Sequence, residues 1–306
     1  MGKFKILSID GGGFRGIFAA YILKRIEEEF SFDCLKDFNL IAGTSTGSII
    51  AAGLVAGLSA SDVFSLYEEH GGRIFNRNFY KVGLLSSQYK NDYLKQLLNK
   101  IFGNKRLGDY CYPLIIPATD IGAGKVHIFK SSFDRDFVRD KSVYIRDAVL
   151  ASCSAPTFFD PFTVENYFLS DGGLWANNPS LVAAIDAQKR IGIDSKDIKV
   201  LSLGTGMGNV FYSQKNKQLT KLTGWGFLTG WERERLIEMI LNLQSETADN
   251  MLSLLLDSNQ IMRINFESDR KLPIDDVAMK KDLQSKADRY FTHNSEKIRS
   301  FLEIGG

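Results

Sequence analysis

The chain has 306 residues, 44% of them hydrophobic and 24% charged, with a formal net charge of +2. That is ordinary composition for a globular protein, with length for one large α/β domain, and the small charge excludes bulk attraction to a nucleic-acid polymer. Three scattered cysteines, Cys34, Cys111 and Cys153, form no disulfide framework or metal spacing, which fits a reducing cytosol; no signal-peptide succession opens the chain, and no apolar run reaches the ~18 residues of a membrane span.

Phe4–Ile9 reads as a short strand, closed by Asp10-Gly11-Gly12-Gly13-Phe14-Arg15-Gly16. A helix over about 17–30 follows, with an apolar stripe of period 3.6 through Ile17, Ala20, Tyr21 and Leu23. The glycines fit G-x-G-x-x-G, the layout of a dinucleotide fingerprint. The acidic residue that should end a second strand about 20 positions on is missing, because Glu27 and Glu29 are still helical. The alternative is an anion cradle of backbone N–H groups. Arg15 then either adds charge, fastens the loop or stands on the surface at the helix start.

Leu40-Ile41-Ala42 has strand character and stops at Gly43-Thr44-Ser45-Thr46-Gly47, after which 48–57 is helical. Strand, sharp turn with Ser at its apex, and helix form the G-x-S-x-G nucleophile elbow. Ser at such a turn sits in strained backbone, and side chains at Gly43 and Gly47 would collide with the strand and helix. The helix aims its first N–H groups at the turn, where an oxyanion would form. Ser45 is therefore a candidate nucleophile; the plain reading is a Gly/Ser turn.

Amphipathic segments follow at 61–69 and 91–102. Between them 70–90 is irregular, with Arg73, Phe75, Arg77, Phe79, Tyr80 and Lys81 interleaved as in a partly buried loop or a phosphate- or membrane-facing stretch. The run 112–120 is a buried strand, paired as a hairpin with Lys125–Lys130 across Gly122-Ala123-Gly124. His127 lies on the opposite face from Val126 and Ile128 and is read as structural. A helix over 146–152 enters the rigid small-residue loop ASCSAPTFF, where Cys153 is a buried filler.

A strand over 167–170 leads into Asp171-Gly172-Gly173, either a functional carboxylate with room for an approaching group or a D-G turn. Asn177-Asn178-Pro179 caps a helix over 180–191, and 199–206 is a parallel-type strand ending in a glycine turn. The aperiodic stretch 207–231 carries Lys215, Lys217, Lys221, Tyr212, Trp225 and Trp231, as a lipid-facing lid or a self-packed loop would. A long helix over 232–257, a strand over 261–266 and helices over 276–290 and 295–302 close the chain. No linker divides it. We expect one domain over 1–306, with a motif-bearing core at about 4–206 and a helical extension at about 232–304.

Taken together, DGGGFRG, GTSTGS, ASCSAPTFF and DGG, in this order across about two-thirds of the chain, resemble the patatin-like phospholipase family. The resemblance implies a three-layer α/β/α fold with a central, mostly parallel sheet. It implies a phospholipase A-type lipid acyl hydrolase that cleaves fatty acyl esters of membrane phospholipids through a Ser–Asp dyad and an acyl-enzyme. By motif position Ser45 is the nucleophile and Asp171 the general base. The backbone of Gly11, Gly12 and Gly13 forms the oxyanion hole with Arg15 in support, and Gly16, Gly43, Gly47, Gly172 and Gly173 complete the motifs. Some compact bacterial members are anti-phage effectors switched on by a cyclic nucleotide. From this follow a phospholipid substrate at a membrane surface, a cyclic-nucleotide activator, and a cytoplasmic location peripheral to the inner face of the membrane. No cofactor and no metal are expected.

The residues support a dyad in their own way. None of His70, His127 and His293 is placed as a convincing base, and a carboxylate acting alone needs a shielded site. Two other classes compete: a nucleotide-binding or oxidoreductase domain using Gly11 to Gly16, and a catalytically silent interaction protein.

Overall fold

The computed structural model describes residues 2–75, 88–209, 212, 225 and 231–304. Chain order is β1 (Phe4–Ile9), α1 (Gly16–Phe30), α2 (Cys34–Asp37), β2 (Leu40–Gly43), α3 (Thr46–Val55), α4 (Ala60–Ile74) and α5 (Asp92–Phe102). There follow β3 (Leu114–Asp120), β4 (Lys125–Lys130), α6 (Ile145–Ser152), β5 (Phe162–Val164), β6 (Tyr167–Asp171), α7 (Gly173–Ala176), α8 (Ser180–Asp186) and β7 (Ile198–Leu203). The last third supplies α9 (Arg233–Leu255), β8 (Ile261–Ile264) and α10 (Lys280–Leu302).

Strands β1, β2 and β7 are short apolar runs because both of their faces are covered, as parallel strands require. Alternate residues go to opposite sides. Leu7, Ile9, Ile41, Leu201 and Leu203 join the core under α1, α3, α4 and α10. Ile6, Leu40, Ala42, Ile198 and Val200 join a smaller core with Ala183 and Ala184 of α8 and Leu252 of α9. A mostly parallel sheet with helices on both faces is therefore the architecture, ordered β5-β6-β3-β2-β1-β7-β8 with β4 on β3.

One feature of the sheet positions the site. Strand β3 gives one edge to β4, antiparallel from Ile115 to Asp120. Its other edge is shared. Parallel β2 takes Leu114 and Ile115, and antiparallel β6 takes Ala118, Thr119 and Asp120. The two strands run toward each other and stop short of meeting. The turn after Gly43 and the carboxylate of Asp171 face each other across the gap.

Several elements differ from the sequence expectation. The closing pair of helices is one helix, α10, because the polar stretch Thr292-His293-Asn294 contains no Gly or Pro. His293 Nδ1 and the Asn294 side chain bond to the carbonyls of Arg289 and Tyr290, four residues back. Helix α4 is longer than 61–69, starting in a capping box between Ser59 and Asp62 and ending at Ile74. Strand β5 went unread, and the helix after Pro179 ends in a π-turn over Ala187–Ile191. His127 is buried between Phe129 and Tyr167 while Val126 is exposed, as the alternation implies. Burial lowers its pKa to about 4, so the ring is neutral. Most of 76–87 and 210–230, with Arg77, Phe79, Tyr80, Lys81 and the three loop lysines, lies outside the described residues; Tyr212, Trp225 and Trp231 stack together.

Candidate active site

The elbow forms because a small-residue turn lets strand and helix come very close. A Cβ on Gly43 would stand 2.1 Å from the Gly47 carbonyl oxygen, and one on Gly47 would stand 2.3 Å from that of Ile9. Ser45, at the apex, has φ 52° and ψ −125°, a strained conformation for a residue with a side chain. It is held in several places. Its N–H donates to Ser152 Oγ at 2.9 Å, and Ser152 Oγ donates to the Pro117 carbonyl, which lies in the β2–β6 gap. Ser48 Oγ donates to the Ser45 carbonyl, and Thr44 Oγ1 to that of Ala176.

Ser45 Oγ donates to Asp171 Oδ2 at 2.6 Å. The other carboxylate oxygen, Oδ1, accepts from the Gly173 N–H at 2.7 Å. The loop after α6 aligns both partners: the Ser154 carbonyl accepts from the Asp171 N–H and from Ser170 Oγ. Asp171 is only 3% exposed. Burial raises its pKa to about 7, against the pull of the Ser45 and Gly173 hydrogen bonds. The histidines are occupied elsewhere: His70 Nδ1 bonds Tyr93 and His293 bonds its own helix.

The glycine loop sits beside Ser45 and is gripped by its carbonyls. Gly11 donates its N–H to the Asn177 carbonyl at 3.0 Å, so that amide is committed and is not free to bind an oxyanion. Among the described residues the N–H groups of Gly12 and Gly13 have no partner. Thr205 Oγ1 donates to the Gly11 carbonyl at 2.8 Å, and Arg15 Nε donates to that of Gly12 at 3.3 Å. In a planar trans peptide, C=O and N–H point opposite ways. Each grip therefore turns the following amide, Gly12 or Gly13, away from Thr205 or Arg15. Arg15 is not on the surface: it is 3% exposed, and its Nη1 donates to the Leu272 carbonyl at 3.0 Å.

Gly16 packs under Thr46 and Tyr67, and Gly172 lies against Pro117. The Gly13–Ser45 junction separates two cavities. The larger is lined by apolar groups including Ile49, Leu94, Leu97, Phe75, Phe159 and Cys153. Cys153 is a buried filler there, its thiol pKa pushed up by burial. The smaller is lined by Gly12, Asp171, Leu174, Asn177, Ile237 and Leu241. Among the described residues no group of three or more His, Cys, Asp or Glu could hold a metal ion.

Some of these residues carry no signal of their own role. Ser152 and Ser154 lie in the ASCSAPTFF motif but look like loop filler there, and Ile237 and Leu241 come from α9, beyond the motifs. Asp10 forms a bidentate pair with Arg263 of β8 at 2.8 and 2.6 Å. Arg263 also lies 3.1 Å from Asp249, whose pKa burial raises to about 6. Asn177 reads in the sequence as a cap only, although Asn178 does the capping by accepting from Ser180.

The pattern of the patatin-like phospholipase family matches residues 7–184. Two phospholipases of Escherichia coli are similar over most of the chain. A cGAMP-activated phospholipase of strain TW11681 is 31% identical over 269 residues, 82% of this chain and 75% of that one. A cUMP-AMP-activated phospholipase is 30% identical over 277 residues, 87% of this chain and 82% of that one. Patatin-like protein 1 of Arabidopsis thaliana is 30% identical across 97% of this chain and 80% of its own. The fold is similar to that in the crystal structure of VipD from Legionella pneumophila, with a TM-score of 0.51 at 13% identity over 96% of this chain and 67% of that one. The chain belongs to the patatin-like phospholipase family and is an enzyme that hydrolyses lipid esters.

Proposed function

We propose that this enzyme is a phospholipase A-type acyl hydrolase working through a Ser45–Asp171 dyad and an acyl-enzyme. The observation that carries the reading is the 2.6 Å bond from Ser45 Oγ to Asp171, made beside the two unpaired glycine amides. Asp171 takes the Ser45 proton as Oγ attacks the ester carbonyl. The Gly12 and Gly13 N–H groups, aimed by Thr205 and Arg15, receive the oxyanion; loss of one such donor costs ~10²–10³ in rate. Gly11 serves the loop rather than the oxyanion. The leaving lysolipid oxygen takes the proton from Asp171, and the acyl chain occupies the larger apolar cavity. Water then releases the fatty acid. Wild type and Ser45→Ala incubated with mixed phospholipid vesicles test this: fatty acid and lysolipid should be released by the first alone. Equal release by both would sink the dyad.

The names of the two Escherichia coli relatives favour a second element, activation by a cyclic dinucleotide. In this reading the enzyme is cytoplasmic and meets the inner face of the membrane from solution; among the described residues no helix is long and apolar enough to cross a membrane. Vesicle hydrolysis should rise when the activating nucleotide is added. Activity unchanged by every cyclic di- and trinucleotide tried would overturn the activation.

A further inference from the structure

Asn177 lines the smaller cavity and carries a buried side-chain oxygen that the scheme above does not use. The side chain is 5% exposed, and its orientation is determined by its neighbours. Ser245 Oγ donates to Asp10 Oδ2 at 3.1 Å, so its proton is spent and it accepts from Asn177. The atom 2.9 Å from Ser245 is therefore the NH2 group. That group also approaches the Gly11 carbonyl, which only accepts, at 3.5 Å. The carbonyl oxygen Oδ1 faces the other way, and among the described residues it is buried without a hydrogen-bond partner. Leaving such an acceptor unpaired is costly, so its retention needs a reason.

Its neighbours supply one. The point that a Cβ on Gly11 would occupy lies 2.4 Å from Asn177 Oδ1 and 3.1 Å from Ser45 Cβ. The point that a Cβ on Gly173 would occupy lies 3.0 Å from Asn177 Oδ1 and 3.0 Å from Asp171 Oδ1. Two acceptors, one a carboxylate and one an amide oxygen, thus stand near the nucleophile, and both residues line the same cavity. A water molecule has two O–H groups to give to two acceptors.

We propose that Asn177 is a catalytic residue for deacylation: its Oδ1 accepts one O–H of the attacking water while Asp171 accepts the other, which turns the water lone pair toward the acyl carbon. The inference rests on the dyad reading. The water proton passes to Asp171 as its oxygen forms a bond to the acyl carbon. The carbonyl π pair moves to the oxyanion held by the Gly12 and Gly13 amides. Collapse breaks the bond from carbon to Ser45 Oγ, which takes the proton back from Asp171. The second water hydrogen leaves on the fatty acid. Acylation needs only the Ser45 proton, so it makes no use of Asn177.

An alcohol acceptor separates these roles. Methanol has one O–H, which Asp171 takes, and nothing to give Asn177. Wild type, Asn177→Leu and Asn177→Ala are assayed with a p-nitrophenyl ester in water containing methanol, measuring the burst of p-nitrophenol, methyl ester and free acid. One variant fills the space and the other leaves it open, so a packing failure in either leaves the other informative; fluorophosphonate labelling of Ser45 counts competent sites. We expect the burst to persist and the ratio of methyl ester to acid to rise about tenfold, the worth of one hydrogen bond in the transition state. An unchanged ratio, or a burst that falls in step with acid production, makes Asn177 a strut and overturns the proposal. Wild type that forms no Ser45-dependent product with or without added cyclic dinucleotide overturns the dyad itself.

Discussion

A lone carboxylate serves as a base near neutral pH only when its surroundings raise its proton affinity. Burial does this for Asp171, lifting its pKa to about 7. The base form is the ionised one, so kcat/KM should rise with pH through about 7 and level off above it; a profile flat from pH 5 to 9 would remove Asp171 from the role. The same burial has a stability consequence of opposite sense. Below the unfolded pKa of about 3.8 the carboxyl is protonated in both states and costs nothing. As pH rises to about 7 the unfolded chain ionises and the folded one resists, so stability is lost across that window. Asp171→Asn should therefore abolish turnover and stabilise the protein, by little near pH 3 and by on the order of 4 kcal/mol above pH 7, read from urea unfolding at the two pH values. Equal shifts at both would show that charge burial is not the cause. At this scale Ser45 and Asp171 are legible in the sequence because a sharp turn and a strand-end carboxylate are local patterns. Arg15 stayed open between surface and loop because burial is a tertiary property. Asn177 carries no local signal because its partners lie far off along the chain, and the commitment of the Gly11 amide to the Asn177 carbonyl is likewise set by a tertiary contact.

At the level of elements, the sheet brings the dyad together by an unusual sharing of the β3 edge between β2 and β6. The strands themselves were readable from apolar runs and turn residues. Their arrangement was not, since nothing in a strand states which edge it takes or that another strand ends opposite it. The same holds for the tie between the motif-bearing part and the last third. Arg263 on β8 pairs with Asp10 at the end of β1 and with Asp249 on α9, and Ser202 accepts from it as well. Helix α9 also walls the smaller cavity through Ile237 and Leu241. Removing the cation leaves two carboxylates, Asp10 buried and Asp249 half-buried, facing each other. Arg263→Met should destabilise the fold by about 3–5 kcal/mol, measured by urea unfolding at pH 7. The deficit should shrink with falling pH as Asp249, whose pKa stands at about 6 even with the cation beside it, takes up a proton. A deficit independent of pH would point to lost packing instead.

For the molecule as a whole, the question is whether the last helix is an appendage or part of the core. Polar residues cover three sides of α10, and a polar stretch in its middle suggested a break. Yet Leu283, Ala287, Phe291, Ile298 and Leu302 are fully or almost fully buried in the same cluster as β1 and α1. Phe291 stacks 5.7 Å from Phe30, and the Arg25 guanidinium lies 4.7 Å over its ring. Helix α1 begins at the glycine loop, so α10 supports from behind the element that follows the two unpaired amides. Phe291→Ala should then cost about 3–5 kcal/mol and lower the unfolding midpoint in urea at unchanged slope. The surviving folded enzyme should keep its kcat, because α1 is also held by α4 through pairs such as Tyr21 and Phe64. Deleting 280–306 removes the whole apolar face at once, and the remaining chain should fail to give a cooperative unfolding transition. A truncated protein that unfolds cooperatively and hydrolyses esters at the full rate would show that the motif-bearing part folds without α10.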